Sequence, residues 1–376
     1  MPLRYRIRRL GAYRLLLAVA AFLFSWHIFR IGDINFTLSD AALFGCLMLL
    51  ASRRGLNARP LGALTPPLLL GLVLLLGGML AGSAANGNPL RWMVIAGQYL
   101  FAYMLVPMIL FSADRAWLRR CALFFALGVA AAQVIAIGAS FFLSYQDTVG
   151  IFGYAFITGR GRIGAFAGDA NWNAAMIAFA LPMLLNAVLH HQIRLVWSIP
   201  VFAALVWGLL ASASFTGFAA SVIALGFFFL VANPRNALKI GLPIALLAVG
   251  YVTAGLPLPA TFQERVAGAL ESGDMDQAGT FTGRSALARE AWNMADDHIL
   301  LGLGADEYRE VSVYNLPVHV FPLLVLNEGG VIALFGLLVI LVTLALACYR
   351  AMKFHRDDGA MAAALLLVFL IFTFSM

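Results

Sequence analysis

Long apolar runs separated by short polar stretches set the pattern of this chain. An α-helix needs about 20 apolar residues to cross about 30 Å of hydrocarbon. Eleven runs approach or reach that length: 15–29, 38–51, 64–82, 92–112, 118–143, 172–189, 195–212, 215–231, 239–255, 319–349 and 359–376. The pattern predicts an all-α fold, a polytopic transmembrane helix bundle of about 11–12 spans. The second run is short enough to be partly re-entrant. The last stops at the end of the sequence, which implies a truncated span or a twelfth helix beyond it. The first run has basic flanks and no small-x-small cleavage site, so it reads as an uncleaved signal anchor.

The polar stretches give the organisation. Residues 1–255 form the bundle of spans one to nine, with a loop at 144–171. Residues 256–318 form a large loop, and 319–376 carry the last spans. A structureless loop as long as 256–318 is unusual, so it is expected to fold over the mouth of the bundle. Within it Ser285–Asp297 reads as a helix with Leu287, Ala291, Met294 and Ala295 on one side and Thr282 as a cap. That helix should stop near Gly302 and Gly304.

Composition agrees with a membrane protein and excludes other classes. Hydrophobic residues are 62% of the chain and charged ones 11%, against about 45–50% and about 25% in soluble domains. Disorder is excluded by the same surplus of apolar surface. The three cysteines, Cys46, Cys121 and Cys348, all lie in apolar runs and read as small packed residues, with no disulfide framework. A net charge of +7 would suggest nucleic acid in a soluble protein. Here the positive-inside rule accounts for it, and no nucleic-acid partner is expected. Seventeen of the 25 basic residues fall before the first run or in alternate loops, from Arg4, Arg6, Arg8, Arg9 and Arg14 to Arg350, Lys353 and Arg356. They place the N-terminus in the cytoplasm and the loops 144–171 and 256–318 outside.

The remaining eight basic residues are all arginine: Arg30, Arg91, Arg160, Arg162, Arg265, Arg284, Arg289 and Arg309. Arginine holds phosphate through a planar, two-pronged donor set and keeps its charge. Ten acids in the large loop offer a plainer use, as ion-pair partners. The expected outcome is a mixture, with at least two of these arginines lining an anion site. Residues 160–171 lead into the sixth run. Asp169 or Asn171 would cap that helix, and free amides there favour an anion. The run interiors carry no Asp, Glu, Lys or Arg apart from Glu328, which weakens a transporter reading. Gln98, Gln133, Asn173 and Asn186 suit hydrogen bonds between helices. His319 opens the tenth run, as an interfacial packing residue or as an imidazole that takes or relays a proton. On a continuous helix Glu328 would point to nearly the opposite face from His319, and helix packing is its expected role.

Three pieces in this order resemble one known family. They are Arg162-Ile-Gly-Ala-Phe-Ala-Gly-Asp169-Ala-Asn171 before a span, Gly283-Arg284 followed by Trp292 and Leu301-Gly302-Leu303-Gly304, and His319 to Glu328-Gly329 opening a span. With the loop between late spans, they resemble the O-antigen ligase and polysaccharide polymerase superfamily. Two departures stand out. Val320 follows the histidine where members often have asparagine, and Ser212-Ala-Ser214-Phe-Thr216-Gly217 stands where many have Ser-Arg-Gly.

The resemblance implies an integral membrane glycosyltransferase of the bacterial inner membrane with its active site on the periplasmic face. It implies no metal and no cofactor. The donor would be an undecaprenyl-diphosphate-linked oligosaccharide, the other partners a glycan acceptor, the lipid bilayer and other polysaccharide assembly proteins. Carried over residue by residue, Arg162 is the first essential arginine with Arg160 as competitor, Arg265 and Arg284 are the loop arginines, and His319 is the family histidine. The arginines would stabilise charge on the diphosphate leaving group. His319 would position or deprotonate the acceptor hydroxyl, with Asp297 as an alternative base, and direct displacement would invert the sugar. The leading expectation is a polymerase of O-antigen or exopolysaccharide repeat units. A ligase to lipid A–core or protein is the near alternative, and a lipid-linked sugar transporter or flippase the alternative of another class.

Overall fold

The computed structural model describes residues 3–30, 36–53, 55–158, 161–232, 241, 258–272, 281–316 and 318–375. It is 79% helical, without strands among the described residues. The helices in order are α1 (Leu3–Leu23), α2 (Leu38–Ala51), α3 (Thr65–Ala85), α4 (Pro89–Leu110), α5 (Arg115–Phe142), α6 (Tyr145–Phe152), α7 (Ala170–Leu189), α8 (Leu195–Ser212) and α9 (Phe215–Val231). They continue as α10 (260–272), α11 (Phe281–His298), α12 (Tyr308–Val311), α13 (Phe321–Phe354) and α14 (Arg356–Ser375). Among the described residues seven helices are long and apolar enough to cross a membrane, and Gly11–Leu23, Leu38–Ala51 and Phe215–Val231 are shorter apolar helices. The expected span 239–255 lies outside the described residues, Gly241 apart.

The helix starts have local chemical causes. Thr37 and Asp40 form a capping box at α2, with the Asp40 carboxylate accepting the Thr37 amide at 2.9 Å. Asn88, Asp114, Ser144, Asp169 and Ser214 each accept an amide of the first turn at α4, α5, α6, α7 and α9. Each satisfies a donor that the helix leaves unpaired. In α4 the turn Phe101–Leu105 widens to a π turn just before Pro107, which has no amide to donate.

Some boundaries differ from the sequence expectation. The first apolar run ends as helix at Leu23, and Phe24–Arg30 turns back with the Trp26 indole donating to the Gly128 carbonyl at 3.1 Å. Thr282 lies inside α11, which begins at Phe281, and so does not stand ahead of it as a cap. The tenth run is not a continuous helix. Gly330 has φ 64 and ψ −169 and breaks α13 there.

The chain divides into two compact units. One comprises Met1–Leu56, Ala113–Gly279 and Ala351–Val368, the other Asn57–Ser112, Thr280–Arg350 and Phe369–Met376.

In the first unit α7 is the central helix, 78% buried. Its alanines at 174, 178, 180 and 187 are almost fully enclosed among α5, α8 and α9. In lipid, apolar burial gives helices little reason to associate, and small residues that let backbones approach supply the packing instead. Gln133 and Asn173 exchange hydrogen bonds of 2.7 and 3.1 Å between α5 and α7, the use expected of polar span residues. At one end Asp358 in the first turn of α14 joins three elements. It accepts from Arg115 and Arg119 of α5 and from Asn186 of α7, and His190 lies 3.3 Å away. Cys46 and Cys121 are buried and unpaired, as expected for packed residues.

In the second unit α3 and α13 cross on glycines. A methyl group on Gly78 would come within 2.6 Å of the Ala333 amide nitrogen, and one on Gly71 within 2.9 Å of the Gly336 carbonyl. The break in α13 is filled from the loop after α11. Leu303 N donates to Asn327 O at 2.7 Å, Gly304 N to Glu328 O at 2.9 Å, and Val331 N to Ile299 O at 2.8 Å. Broken backbone in an apolar helix is tolerated where protein groups satisfy it, and 299–304 does so here.

Candidate active site

In the first unit the site is built on the loop before α7. Ile157 and Ile163 form a bridge and are both buried against Phe156 and Phe166. Thr158 N donates to Arg162 O at 2.9 Å across a tight loop with Gly161 at φ 72. Ile163 N donates to Ala211 O, and Asn173 donates to the Ile163 carbonyl at 3.1 Å. The backbone on either side of Arg162 is thus pinned, and the side chain is pinned as well. Its Nε donates to the Ser212 carbonyl at 2.8 Å and Nη2 to Asn171 Oδ1 at 2.8 Å.

Asp169, not Asn171, is the cap of α7, accepting the amides of Asn171 and Trp172 at 2.7 and 3.2 Å. Asn171 uses its carbonyl oxygen to orient Arg162. Ser212 is the last residue of α8, ahead of the turn in which Ala213 is left-handed and Ser214 caps α9. Gly217 sits against Ala174, so α7 and α9 start side by side. Two helix N-termini, each with partial positive charge, therefore flank a fixed guanidinium. This is a setting for an anion.

Arg265 is carried on α10. A methyl group on Gly161 would meet Thr261 at 3.6 Å, and Phe262 packs edge-on against Phe218 with centroids 5.7 Å apart. These contacts dock α10 beside the Arg162 loop. Arg265, one turn beyond Thr261 and half-buried, lies in the π turn Gln263–Ala267. Arg160, its competitor in the sequence reading, lies outside the described residues.

The other predicted residues lie in the second unit. Leu287, Ala291 and Ala295 form the buried stripe of α11. Arg284 is half-buried and two helical turns before Ala291, so both are on one face. Ala291 packs with Leu303, Tyr308 and Val318, and Val318 is followed directly by half-buried His319. Asp297 is exposed. Because α13 starts at Phe321 and breaks at Gly330, the helical angle that separates His319 from Glu328 on a continuous helix does not apply. Glu328 is 7% exposed and takes a hydrogen bond from the Asp306 backbone.

Two of the eight arginines have the plainer use. Arg91 and Arg309 both reach Asp306, at 2.7 and 3.2 Å. The sequence did not single out Glu290. Its carboxylate accepts from Ser312 Oγ at 2.9 Å, Tyr308 Oη at 3.2 Å and the Val313 amide at 2.7 Å. Burial and the nearby Glu290 charge push the Tyr308 phenol up to about 12.

Residues 200–338 match the family model described as O-antigen ligase. The chain is similar to the O-antigen ligase family. The resemblance to the wider ligase and polymerase superfamily therefore holds. Members of that family are membrane glycosyltransferase-like enzymes, ligases or polymerases. The matched segment includes α9 to α12 and the break in α13, and with them Arg265, Arg284 and His319. Arg162, Asp169 and Asn171 precede it. No curated protein matches the chain.

Proposed function

We propose that this protein is an integral membrane glycosyltransferase that takes glycan from an undecaprenyl-diphosphate-linked donor at the periplasmic face and polymerises polysaccharide repeat units. The fixed Arg162 guanidinium at the paired N-termini of α7 and α9 is the observation that carries this reading. As the bond between sugar and diphosphate breaks, negative charge grows on the leaving phosphate oxygen. A donor already held in place stabilises that charge without rearranging in the reaction. Arg162 and Arg265 take this role, and Arg284 adds to it. His319 orients the acceptor hydroxyl or removes its proton as the hydroxyl oxygen attacks the anomeric carbon. The sugar is inverted, and the lipid diphosphate leaves. The residues act without a metal or cofactor in this scheme. Charge-poor spans favour it over a transporter for the same lipid-linked sugar.

The description of the matched family as O-antigen ligase favours a second reading, transfer of finished glycan to lipid A–core or to protein. One experiment separates the two. Purified protein in bilayer discs is given the lipid-linked repeat unit and no other acceptor. A ladder of longer lipid-linked glycans supports the polymerase. No ladder, with transfer restored by an added lipid A–core acceptor, supports the ligase. No product with either acceptor overturns the enzyme reading. Arg162→Ala should abolish product while leaving the protein inserted, and full activity in that variant would remove the arginine role.

A further inference from the structure

α11 is fastened by two consecutive residues. Glu290 holds the stretch 308–313 through three hydrogen bonds, from Tyr308 Oη, Ser312 Oγ and Val313 N. Ala291 holds the next stretch through its side chain, packed with Val318, and holds α13 through its carbonyl, which accepts from Asn327 Nδ2 at 2.9 Å. His319 stands between these anchors, six residues after Val313 and directly after Val318. On α11 itself, Arg284 shares the face of Ala291. The rotation of α11 that sets Arg284 and the path of the segment that carries His319 are therefore fixed by the same pair of residues.

We infer that Glu290 is a positioning residue, which sets the segment carrying His319 against the helix carrying Arg284. The inference rests on the glycosyltransferase reading, in which these two side chains serve acceptor and donor. The geometry explains why a carboxylate is suited to this place. Three donors converge on its two oxygens, and one of them is a backbone amide. A shorter or apolar side chain leaves Val313 N and Ser312 Oγ to find other partners, and the stretch 308–316 then depends on apolar contacts at Tyr308 and Val318. In Glu290→Gln the side chain would keep one carbonyl oxygen for the amide. Its new NH2 can donate to the Ser312 and Tyr308 hydroxyls, which accept as well as donate.

The test uses full-length protein in bilayer discs with the lipid-linked repeat unit as donor. Misplacement of a reacting group by about 1 Å costs about 10²-fold. Glu290→Ala should lower kcat by about that factor, with donor KM changed less than about threefold. Glu290→Gln should recover most of the loss. Ser312→Ala should show a smaller fall and add little to Glu290→Ala in the double variant. A role in folding alone would lower the amount of folded protein and leave kcat per folded molecule as in the wild type, which overturns the inference. So would wild-type kinetics in Glu290→Ala, or independent, multiplying effects of Glu290→Ala and Ser312→Ala.

Tyrosine NMR, assigned with Tyr308→Phe, keeps the two readings distinguishable. In Glu290→Gln the charge beside Tyr308 is gone, so its phenol should titrate below its wild-type value. If the wild type transfers no glycan, the glycosyltransferase reading fails. An unmoved Tyr308 titration overturns the Glu290 anchor whether or not transfer occurs.

Discussion

Arg162 shows how much a single residue's neighbours decide. Its side chain is held by a backbone carbonyl at Ser212 and a side-chain oxygen at Asn171, both at 2.8 Å. Both bonds use the planar geometry of guanidinium, which an ammonium cannot reproduce. Arg162→Lys is therefore expected to lose at least tenfold in transfer rate while keeping its charge, a difference of about 1.4 kcal/mol in barrier. A lysine variant with wild-type kcat would show that charge alone suffices. The sequence made Arg162 legible because it stands beside Asp169 and Asn171 ahead of an apolar run. It did not make legible the division of labour between those two, since either can cap. Glu290 was illegible for a related reason. An acid on an amphipathic loop helix looks like a solvated face until the donors from 308–313 fold onto it.

At the scale of the element, caps and breaks behave differently. The caps are local, and the start of α7 at Asp169 was near to legible from residue type alone, whereas α11 begins at Phe281, four residues ahead of the expected Ser285. Asp169→Ala should cost about 1 kcal/mol through the loss of two amide bonds at α7, measured as a fall in thermal midpoint in detergent; an unchanged midpoint would mean that water replaces the cap. The break in α13 is not local. Residues 319–349 read as one apolar run, and only the partner loop 299–304 shows why the helix stops at Gly330. A side chain there faces a left-handed backbone and the Leu300 carbonyl. Gly330→Ala should destabilise the second unit by about 1–3 kcal/mol, and a wild-type midpoint would contradict that strain.

The joint between α5, α7 and α14 adds a pH dependence at this scale. His190 lies just past α7, facing Asp358, Asp357, Arg119 and Arg115. Burial first, and then the Arg119 charge, lower its pKa below the ordinary value. The folded state prefers the neutral ring, and the unfolded chain binds a proton more readily. Stability is therefore present above the unfolded pKa of about 6.5 and is lost as pH falls from there towards the folded value. His190→Gln should flatten denaturation midpoints over that window. An equally steep slope in the variant would assign the effect to other groups.

For the whole molecule, the all-α membrane bundle was legible because hydrocarbon thickness sets run length, and ten of the eleven expected runs correspond to described apolar helices. The two compact units were not, since each draws on distant stretches of chain that only tertiary contact relates. The charge pattern also predicts a sidedness. In a protein whose three cysteines are replaced, Tyr154→Cys should react with an impermeant thiol reagent in intact cells with an opened outer membrane. Arg120→Cys should react only after the inner membrane is permeabilised. The reverse pattern would invert the topology.

The interrupted α13 bears on how the protein is made. Residues 331–349 at 1.5 Å each extend about 28 Å, close to the roughly 30 Å of hydrocarbon that a span has to cross. The insertion machinery therefore has a nearly complete spanning signal without residues 321–329. When that signal emerges from the ribosome, Ile299–Gly304 has already been synthesised and is waiting for it. The stretch from His319 to Glu328 is then joined to that span by the docking of two finished pieces of protein, through the bonds of Ile299, Leu303 and Gly304.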